Sequence, residues 1–382
     1  MPGSILLPNP YNAEPLYQKA MTLRPSGVTV RYAYLKYLQS KGPASKIPDS
    51  KIPELVQYMI EIYPPSYWSL KKEPFFSDLL PDIEQGLNTA LTKQILPRDA
   101  LKALSNIYVT KNNFEKAIAW YKDLLNLNKS KTSSSDYIHI GSLYLKNRQY
   151  EESLIFFKKA IFISKNSAST INNIYNTFKR EKLFTEFLRF SLYLQENDLG
   201  GNNLDMTIAN CWIDMGYPEL AKARLIKINA AKPHAPAYYR LAKLAAKEKN
   251  WDQMEIFAQK ASFLDQGNLS YYNLLTRSLI NQRKYTHAEE VATKAINHAP
   301  PKNPWVFNNR ANIRWRLKKH ALAAEDWEKA FALKPDRSDF PYRIALAHEQ
   351  QGQFKQALTF AQKAIALAPD NKTYKDLASR LK

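Results

Sequence analysis

A small side chain that recurs about every 34 residues constrains the fold of this chain more than any other feature of its sequence. The recurring position, called the anchor here, lies between 33 and 36 residues from its neighbours along the chain. It is occupied by Ala117, Ser153, Phe187, Ala221, Met254, Ala288, Ala323 and Ala357. A period of this length predicts one helical hairpin stacked repeatedly on its own copies, which replaces the two or three globular domains that 382 residues would otherwise suggest.

The residues around the anchor explain why the repeated unit is a pair of helices. Ala357 and Ala364 lie two turns apart on one face of the predicted second helix, and Pro369 cannot continue that helix. Two helices that cross closely need small side chains where their backbones approach. The first helices supply matching small residues twelve positions before the anchor, at Gly141, Ala209, Ala242, Ala311 and Ala345.

This pattern resembles the tetratricopeptide repeat family, and the resemblance covers residues 98–370 as eight repeats in register. It implies an all-α fold, a right-handed α-solenoid superhelix of helix-turn-helix repeats whose first helices line an inner groove. Phe187, Met254 and Gln266 depart from the family's pattern. Because Phe187 is larger than the usual anchor, we expect the hairpin at 168–200 to pack more loosely.

The two ends of the chain are less regular. We expect residues 1–97 to form divergent hairpins of the same type and residues 371–382 to form a polar capping helix, which repeat arrays need at their ends. Within the first region the predicted pieces are the second helix of a repeat at 13–20, a hairpin at 28–41 and 53–63 split by an insertion at 42–50, and a hairpin at 66–93 broken by Pro74 and Pro81.

Each first helix carries a second stripe that the hairpin contacts do not use. In the hairpin that starts near Pro304 this stripe, called the first-helix stripe, contains residues 305, 308, 309, 312, 315 and 316, which share one helical face. Asparagine is a poor helix former, yet it occupies eleven stripe positions over the eight hairpins. Its amide both donates and accepts hydrogen bonds, so it suits the backbone of an extended chain. The pattern is similar to the asparagine-lined superhelix of the O-linked N-acetylglucosamine transferases, without their catalytic domain.

Charge along the stripe predicts an acidic ligand. The whole chain has a formal charge of +20. Basic stripe residues are Lys102, Lys146, Lys179, Arg180, Arg240, Lys243, Lys247, Arg277, Arg316 and Arg343, whereas the acidic ones are Asp99, Asp214, Asp339 and Glu349. The candidate ligand-groove residues are Asn172, Asn173, Asn176, Lys179, Arg240, Lys243, Asn273, Arg277, Trp305, Asn308, Asn309, Asn312, Trp315, Arg316, Tyr342 and Arg343.

Two features of the stripe refine this prediction. Trp305 and Trp315 are candidate hot spots, because interfaces favour tryptophan, although burial against a neighbouring hairpin is the alternative. Some family members clamp a carboxy-terminal carboxylate with five residues over three repeats. Only Asn309 and Arg343 match that clamp, and Asp339 would repel the carboxylate, so a clamp is disfavoured.

The sequence offers no catalytic, metal or cofactor motif. The six histidines are scattered along the chain, and there is no glycine-rich phosphate loop. Cys211, beside Trp212, is predicted to be a core residue. We therefore expect a non-enzyme without a cofactor. The chain also lacks a run of 18 apolar residues and a signal-peptide pattern at its start.

Three functions remain open at this point. The first is a non-catalytic scaffold or adaptor that holds an extended, acidic peptide or protein segment, in the cytoplasm by default. The second is the soluble repeat domain of a bacterial envelope polysaccharide polymerase or O-antigen ligase-like membrane protein, facing the periplasm or envelope, with an anionic glycan in the groove. RNA binding is the third and rests on charge and aromatic residues alone, since no repeat code for RNA is visible. The partner, the compartment and the oligomeric state are not fixed by the sequence.

Overall fold

The computed structural model describes residues 14–40, 51–127, 132–164, 167–298 and 303–382. Throughout these ranges the regular structure is helical and contains no strand, which confirms the all-α prediction. The expectations for the first eleven residues and for the insertion at 42–50 lie outside the described residues. The chain divides into two compact units, residues 1–197 and 198–382, and each is described by itself.

The first unit contains eleven α-helices among its described residues. They are α1 (Glu14–Leu23), α2 (Val28–Ser40), α3 (Lys51–Ile62), α4 (Tyr67–Leu70), α5 (Leu80–Thr92), α6 (Pro97–Thr110), α7 (Phe114–Leu127), α8 (Ser134–Lys146), α9 (Tyr150–Phe162), α10 (Ser167–Arg180) and α11 (Phe184–Glu196), with a 3₁₀ turn at Pro64–Ser66 before α4.

The second unit contains eleven more. They are α12 (Gly201–Asp214), α13 (Pro218–Ala231), α14 (Ala235–Lys247), α15 (Trp251–Leu264), α16 (Leu269–Asn281), α17 (Tyr285–His298), α18 (Pro304–Arg316), α19 (His320–Leu333), α20 (Asp339–Gln350), α21 (Phe354–Leu367) and α22 (Lys372–Arg380). The last helix packs on α21 through Leu377, Ala378 and Leu381. The domain boundaries proposed at residues 97/98 and 370/371 stay predictions.

The anchors lie where the predicted hairpins require them. All eight side chains are fully buried, and each second helix of the pair, from α7 to α21, begins three residues before its anchor. At the matching position of the first helix, a Cβ atom built on Gly141 would lie 2.5 Å from Cε1 of Phe157. In the α6–α7 hairpin, the Ser105 hydroxyl donates to the Ala117 carbonyl at 2.8 Å. Close helix approach at small residues therefore sets the register of the repeats.

The turn within each hairpin shows a regularity that the sequence analysis missed. The residue five positions before the anchor has a positive φ in all eight hairpins, at Asn112, Arg148, Lys182, Gly216, Lys249, Arg283, Lys318 and Gly352. The following amide donates back to the carbonyl five residues earlier, as Gln353 does to His348 at 2.9 Å. These are the bonds of a left-handed helix cap. Because glycine occupies only two of the eight positions, the residue types there did not predict a positive φ.

Two local predictions need correction or qualification. In the hairpin predicted at 66–93, Pro74 lies in the turns between α4 and α5, whereas Pro81 occupies the first turn of α5, where the missing N–H costs no hydrogen bond. Phe187 does hold α10 and α11 further apart than the helices of neighbouring hairpins. Its ring lies 4.8 Å from that of Tyr175 and 5.8 Å from that of Phe178, so aromatic rings fill the space.

The buried carboxylate of Asp136 links three helices of the first unit through hydrogen bonds. Asp136 forms a capping box with Ser133 at the start of α8. Its carboxylate also accepts from Arg98 of α6 at 2.5 Å and from the Tyr121 hydroxyl of α7 at 3.0 Å. The side chain of His139 lies one turn further along α8, with its ring 4.6 Å from that of Tyr121. Neighbouring hairpins are thus joined by hydrogen bonds as well as by apolar contact.

A larger charge cluster fastens three helices of the second unit. Asp326 of α19 is fully buried and accepts from Arg310 through Nε at 2.8 Å and Nη2 at 2.7 Å. Arg314 of α18 donates from Nη1 to Asp326 at 2.9 Å and from Nε to Glu289 of α17 at 2.9 Å. Burying a carboxylate is costly unless it is paired and hydrogen-bonded, and here both arginines meet that need.

The replacement Gly141→Ala tests the close approach of α8 and α9. The new methyl group would overlap the Phe157 ring, so we expect the free energy of unfolding to fall by about 1–3 kcal/mol. Urea unfolding followed by circular dichroism measures this. The control is Gly267→Ala, whose Cβ would meet nothing closer than 3.7 Å. Equal stability of both variants would contradict the role given to the small residue.

The pH dependence of stability tests the α8 cluster. Burial lowers the pKa of His139 from 6.5 to about 4, so the folded chain keeps this imidazole neutral while the unfolded chain protonates it. Stability must then fall as the pH drops from about 6.5 towards 4. At pH values below this window, the ionisation of Asp136 also affects the stability of the fold. Burial raises its pKa, but hydrogen bonds from Ser133 and the charge of Arg98 outweigh burial and lower it, so its stabilisation is lost as the pH falls through that lowered pKa.

In His139→Gln the dependence between pH 6.5 and 4 should weaken, by up to about 1.4 kcal/mol per pH unit, which is the slope for one proton. Urea unfolding at a series of pH values compares the variant with the parent chain. An unchanged slope would show that His139 is not held neutral by the fold.

Candidate functional site

The predicted groove residues lie on the first helices of their hairpins. In the first unit, α10 presents Asn172, Asn173, Asn176 and Lys179, all exposed. In the second unit they belong to α14, α16, α18 and α20. The exposed members there are Lys243, Asn273, Arg277, Trp305 and Arg316, and the half-buried ones are Arg240, Asn308, Asn309, Asn312, Trp315, Tyr342 and Arg343.

Hydrogen bonds join this face from helix to helix within the second unit. The Asn309 amide of α18 donates to Oδ1 of Asn273 on α16 at 3.1 Å. Arg343 of α20 donates to Oδ1 of Asn312 on α18 at 2.5 Å. The asparagines are therefore partly used in contacts between hairpins, so fewer amide groups are open to a ligand than the sequence analysis supposed.

Asn308 differs from its neighbours on α18. Its Oδ1 atom is buried and has no hydrogen-bond partner among the described residues. A buried carbonyl oxygen without a donor costs free energy, and such atoms in native structures call for an explanation.

The two tryptophans of the stripe have different surroundings. Trp305 is 43% exposed, and the guanidinium carbon of Arg337 lies 5.3 Å from the centre of its ring. Trp315 packs within its own hairpin, with its ring 5.9 Å from that of Trp327. Trp305 is therefore the more exposed of the two candidate hot spots, and its role stays a prediction. Trp315 is half-buried within its own hairpin, not against a neighbouring one.

A cavity of about 930 Å³ lies on this face of the second unit. It is bounded by Asn312, Trp315 and Arg316 of α18 together with Arg343 of α20, Tyr285 of α17 and Lys318 of the turn between α18 and α19. Its lining contains no carboxylate. In the first unit a smaller cavity of about 310 Å³ lies on the first-helix side, between α6, α8 and α10, and includes Asn106, Lys146 and Arg180.

Two of the four acidic residues of the stripe are neutralised by arginines outside it. Arg337 donates to Asp339 at 2.7 Å, and Arg380 donates to Glu349 through two bonds of 2.9 Å. Burial raises the pKa of Asp339, but the hydrogen bond and charge of Arg337 outweigh burial and lower it. Asp339 therefore stays ionised and paired at neutral pH, and the surplus of positive charge predicted for this face is retained.

No group of three or more histidine, cysteine or acidic side chains lies close enough to hold a metal ion within the described residues. Cys211 is buried, and burial raises the pKa of its thiol to about 12, so it is protonated at neutral pH. Over the same ranges, no helix has the length and apolar character needed to cross a bilayer.

Stacked helical hairpins with buried small-residue anchors and a polar first-helix face define a helical repeat protein. Sequence profiles of the tetratricopeptide repeat family match residues 100–134, 137–166 and 308–372. The chain is a tetratricopeptide repeat protein, as its sequence pattern predicted.

Several curated proteins share sequence with this chain. The human protein O-mannosyl-transferase TMTC3 is 21% identical over 239 residues, which cover 61% of this chain and 24% of that protein. RNA polymerase II-associated protein 3 of Mus musculus is 32% identical over 124 residues, 32% of this chain and 17% of that protein. The chain therefore spans a quarter or less of the length of these relatives.

Solved structures with a similar arrangement are more distant in sequence. The C-terminal part of a tetratricopeptide repeat-containing protein from Cytophaga hutchinsonii aligns with a TM-score of 0.48 at 14% identity, over 63% of this chain and 98% of that one. Cut9–Hcn1, a hetero-tetramer of the APC/C, aligns with a TM-score of 0.38 at 12% identity, over 96% of this chain and 95% of that one.

The replacement Asn308→Leu tests whether this amide is held for a ligand. Removing an unsatisfied buried oxygen while keeping the volume should leave the free energy of unfolding unchanged or raise it by about 1 kcal/mol. Asn309→Leu is the matched control, since it breaks the bond to Asn273 and should destabilise. Thermal unfolding compares the two. A loss of stability in Asn308→Leu as large as in the control would show that Oδ1 has a partner in the folded chain.

Proposed function

We propose that this chain is a non-catalytic scaffold that holds an extended, acidic peptide or protein segment on the first-helix face of its second unit. The observation that carries the proposal is the cavity of about 930 Å³ on that face, whose lining contains cationic side chains and no carboxylate.

An extended peptide suits the chemistry of α16, α18 and α20. Each peptide unit carries one N–H donor and one carbonyl acceptor, and an asparagine amide can meet either of them. The amides of Asn309 and Asn312 already link the three helices, which holds them in a row. A row of fixed amides binds backbone with little loss of side-chain entropy, because the groups are ordered beforehand.

Charge favours an acidic partner over a neutral one. Arg316 is exposed, and no carboxylate in the described ranges lies within ion-pair distance of its guanidinium group. Trp305, exposed beside Arg337 and Lys334, adds an apolar surface flanked by positive charge. Electrostatic complementarity of this kind raises association rates and selects partners more than it raises affinity.

Fluorescence anisotropy with labelled peptides tests this function. A peptide of glutamate and alanine should bind, and matched glutamine and lysine peptides should bind at least about tenfold more weakly. Affinity for the glutamate peptide should fall as salt rises, because the attraction is screened. Equal binding of the glutamate and lysine peptides would contradict the proposal.

Variants locate the binding face. The triple replacement of Asn308, Asn309 and Asn312 by alanine, and separately Trp305→Ala, should each weaken the glutamate peptide by about tenfold or more. The control replaces Gln356 and Gln362, exposed on the second helix α21, by alanine. If the control weakens binding as much as the triple variant, the peptide lies elsewhere.

A second candidate function rests on the similarity to protein O-mannosyl-transferase TMTC3 over 61% of this chain. In this reading the chain is the repeat domain of a larger enzyme that transfers sugars, and the basic face presents a glycan or an acceptor protein. The surrounding coding sequence decides between them: a transferase domain joined to this chain favours the second candidate, and a reading frame that encodes the repeats alone favours the first.

A further inference from the structure

The 930 Å³ cavity of the second unit holds cationic groups that the fold does not neutralise. Arg316 is exposed at the end of α18, Lys318 is exposed in the turn after it, and Arg343 is half-buried in the second turn of α20. Within the described part of the chain, none of the three has a carboxylate within ion-pair distance, although the charge of Arg343 contributes to the lowered pKa of Asp339 one turn earlier on α20. The nearest fixed partner is neutral: Arg343 donates to the amide oxygen of Asn312 at 2.5 Å.

Basic residues just outside the cavity, in contrast, form ion pairs with carboxylates. Arg310 and Arg314 are bound to Asp326, and Lys319 is bound to Glu289 at 2.6 Å. Lys284 is likewise bound to Glu255 at 2.8 Å. The chain therefore has carboxylates available for the cations around the cavity, and those inside it are left without one.

Helix capping explains only part of this arrangement. A cation at the end of α18 is favoured by the helix dipole, so Arg316 has a structural reason to be basic. Arg343 lies in the second turn of α20, where the helix dipole no longer acts strongly, so the dipole does not account for a cation there. Three like charges around one cavity also repel one another, and an anion bound between them removes that cost.

We propose that this cavity binds a phosphoryl group on a side chain of the peptide partner. The inference rests on the proposed function and names the chemistry of one subsite within it. A carboxylate carries one charge, whereas a phosphorylated residue carries about −1.5 to −2 and three strong acceptor oxygens, which match two guanidinium groups and one ammonium group. Trp315 and Tyr285 form an apolar wall beside the charges.

The test uses three labelled peptides of about twelve residues that differ only at a central position. The central residue is serine in the first peptide, glutamate in the second and phosphoserine in the third. In all three it is flanked by the same glutamate and alanine residues. We expect the phosphoserine peptide to bind about tenfold or more tightly than the serine peptide, with the glutamate peptide between them. The phosphoserine advantage should shrink below about pH 6, where the second phosphate proton binds.

The double variant Arg316→Ala with Lys318→Gln isolates the cavity. Both side chains are exposed, so the fold should persist, which thermal unfolding checks. The variant should bring the three peptides within about twofold of one another. The control Lys329→Ala, which removes one exposed cation from α19, should preserve the phosphoserine preference.

The outcomes separate this inference from the function on which it rests. Equal binding of all three peptides would leave the scaffold proposal standing and overturn the phosphoryl subsite. Binding of none would remove both. If inorganic phosphate alone raises the unfolding temperature, the double variant abolishes that effect and the phosphoserine peptide has no advantage, the cavity is a free-phosphate site and the peptide-borne assignment is wrong.

Discussion

The close contact of paired helices at small residues is the constraint on which the rest of this structure depends. Gly141 against the ring of Phe157, and the alanines at five of the eight anchors, let the helices of those pairs approach closely enough to share one core, whereas α10 and α11, with Phe187 at the anchor, make fewer contacts. Protein interiors are packed to crystal density, so a single added methyl group at such a point has to displace a neighbour. The fixed spacing of the second helices along the sequence follows from this contact.

Much of the fold was predictable because one physical requirement repeats at fixed spacing. The anchors, the helix pairs and the all-α class follow from small residues recurring about every 34 positions. The hairpin turns were not predictable in the same way. Arg148, Lys249 and Lys318 adopt a left-handed backbone that glycine favours, because the hydrogen bonds of the two helices over-determine the turn. Where tertiary contacts impose a backbone conformation that a residue does not prefer, that conformation cannot be predicted from residue type.

The candidate site was predictable in its composition and less so in its bonding. The helical period placed Asn273, Asn309 and Asn312 on one face, and the structure keeps them there. It could not show that Asn309 bonds to Asn273 of the preceding hairpin, or that Trp315 packs against Trp327 of its own hairpin, because both contacts depend on how helices are placed in three dimensions. The sequence also could not predict which lysines and arginines form ion pairs, since residue type alone does not show which carboxylates lie nearby.

The cluster formed by Arg310, Arg314, Asp326 and Glu289 has a consequence for how the array comes apart. Repeat proteins lose structure hairpin by hairpin, since each copy touches only its neighbours. Arg314 is bonded to Glu289 of one hairpin and to Asp326 of the next, so separating the two hairpins breaks an ion pair that is largely shielded from water. We therefore expect α17, α18 and α19 to unfold together.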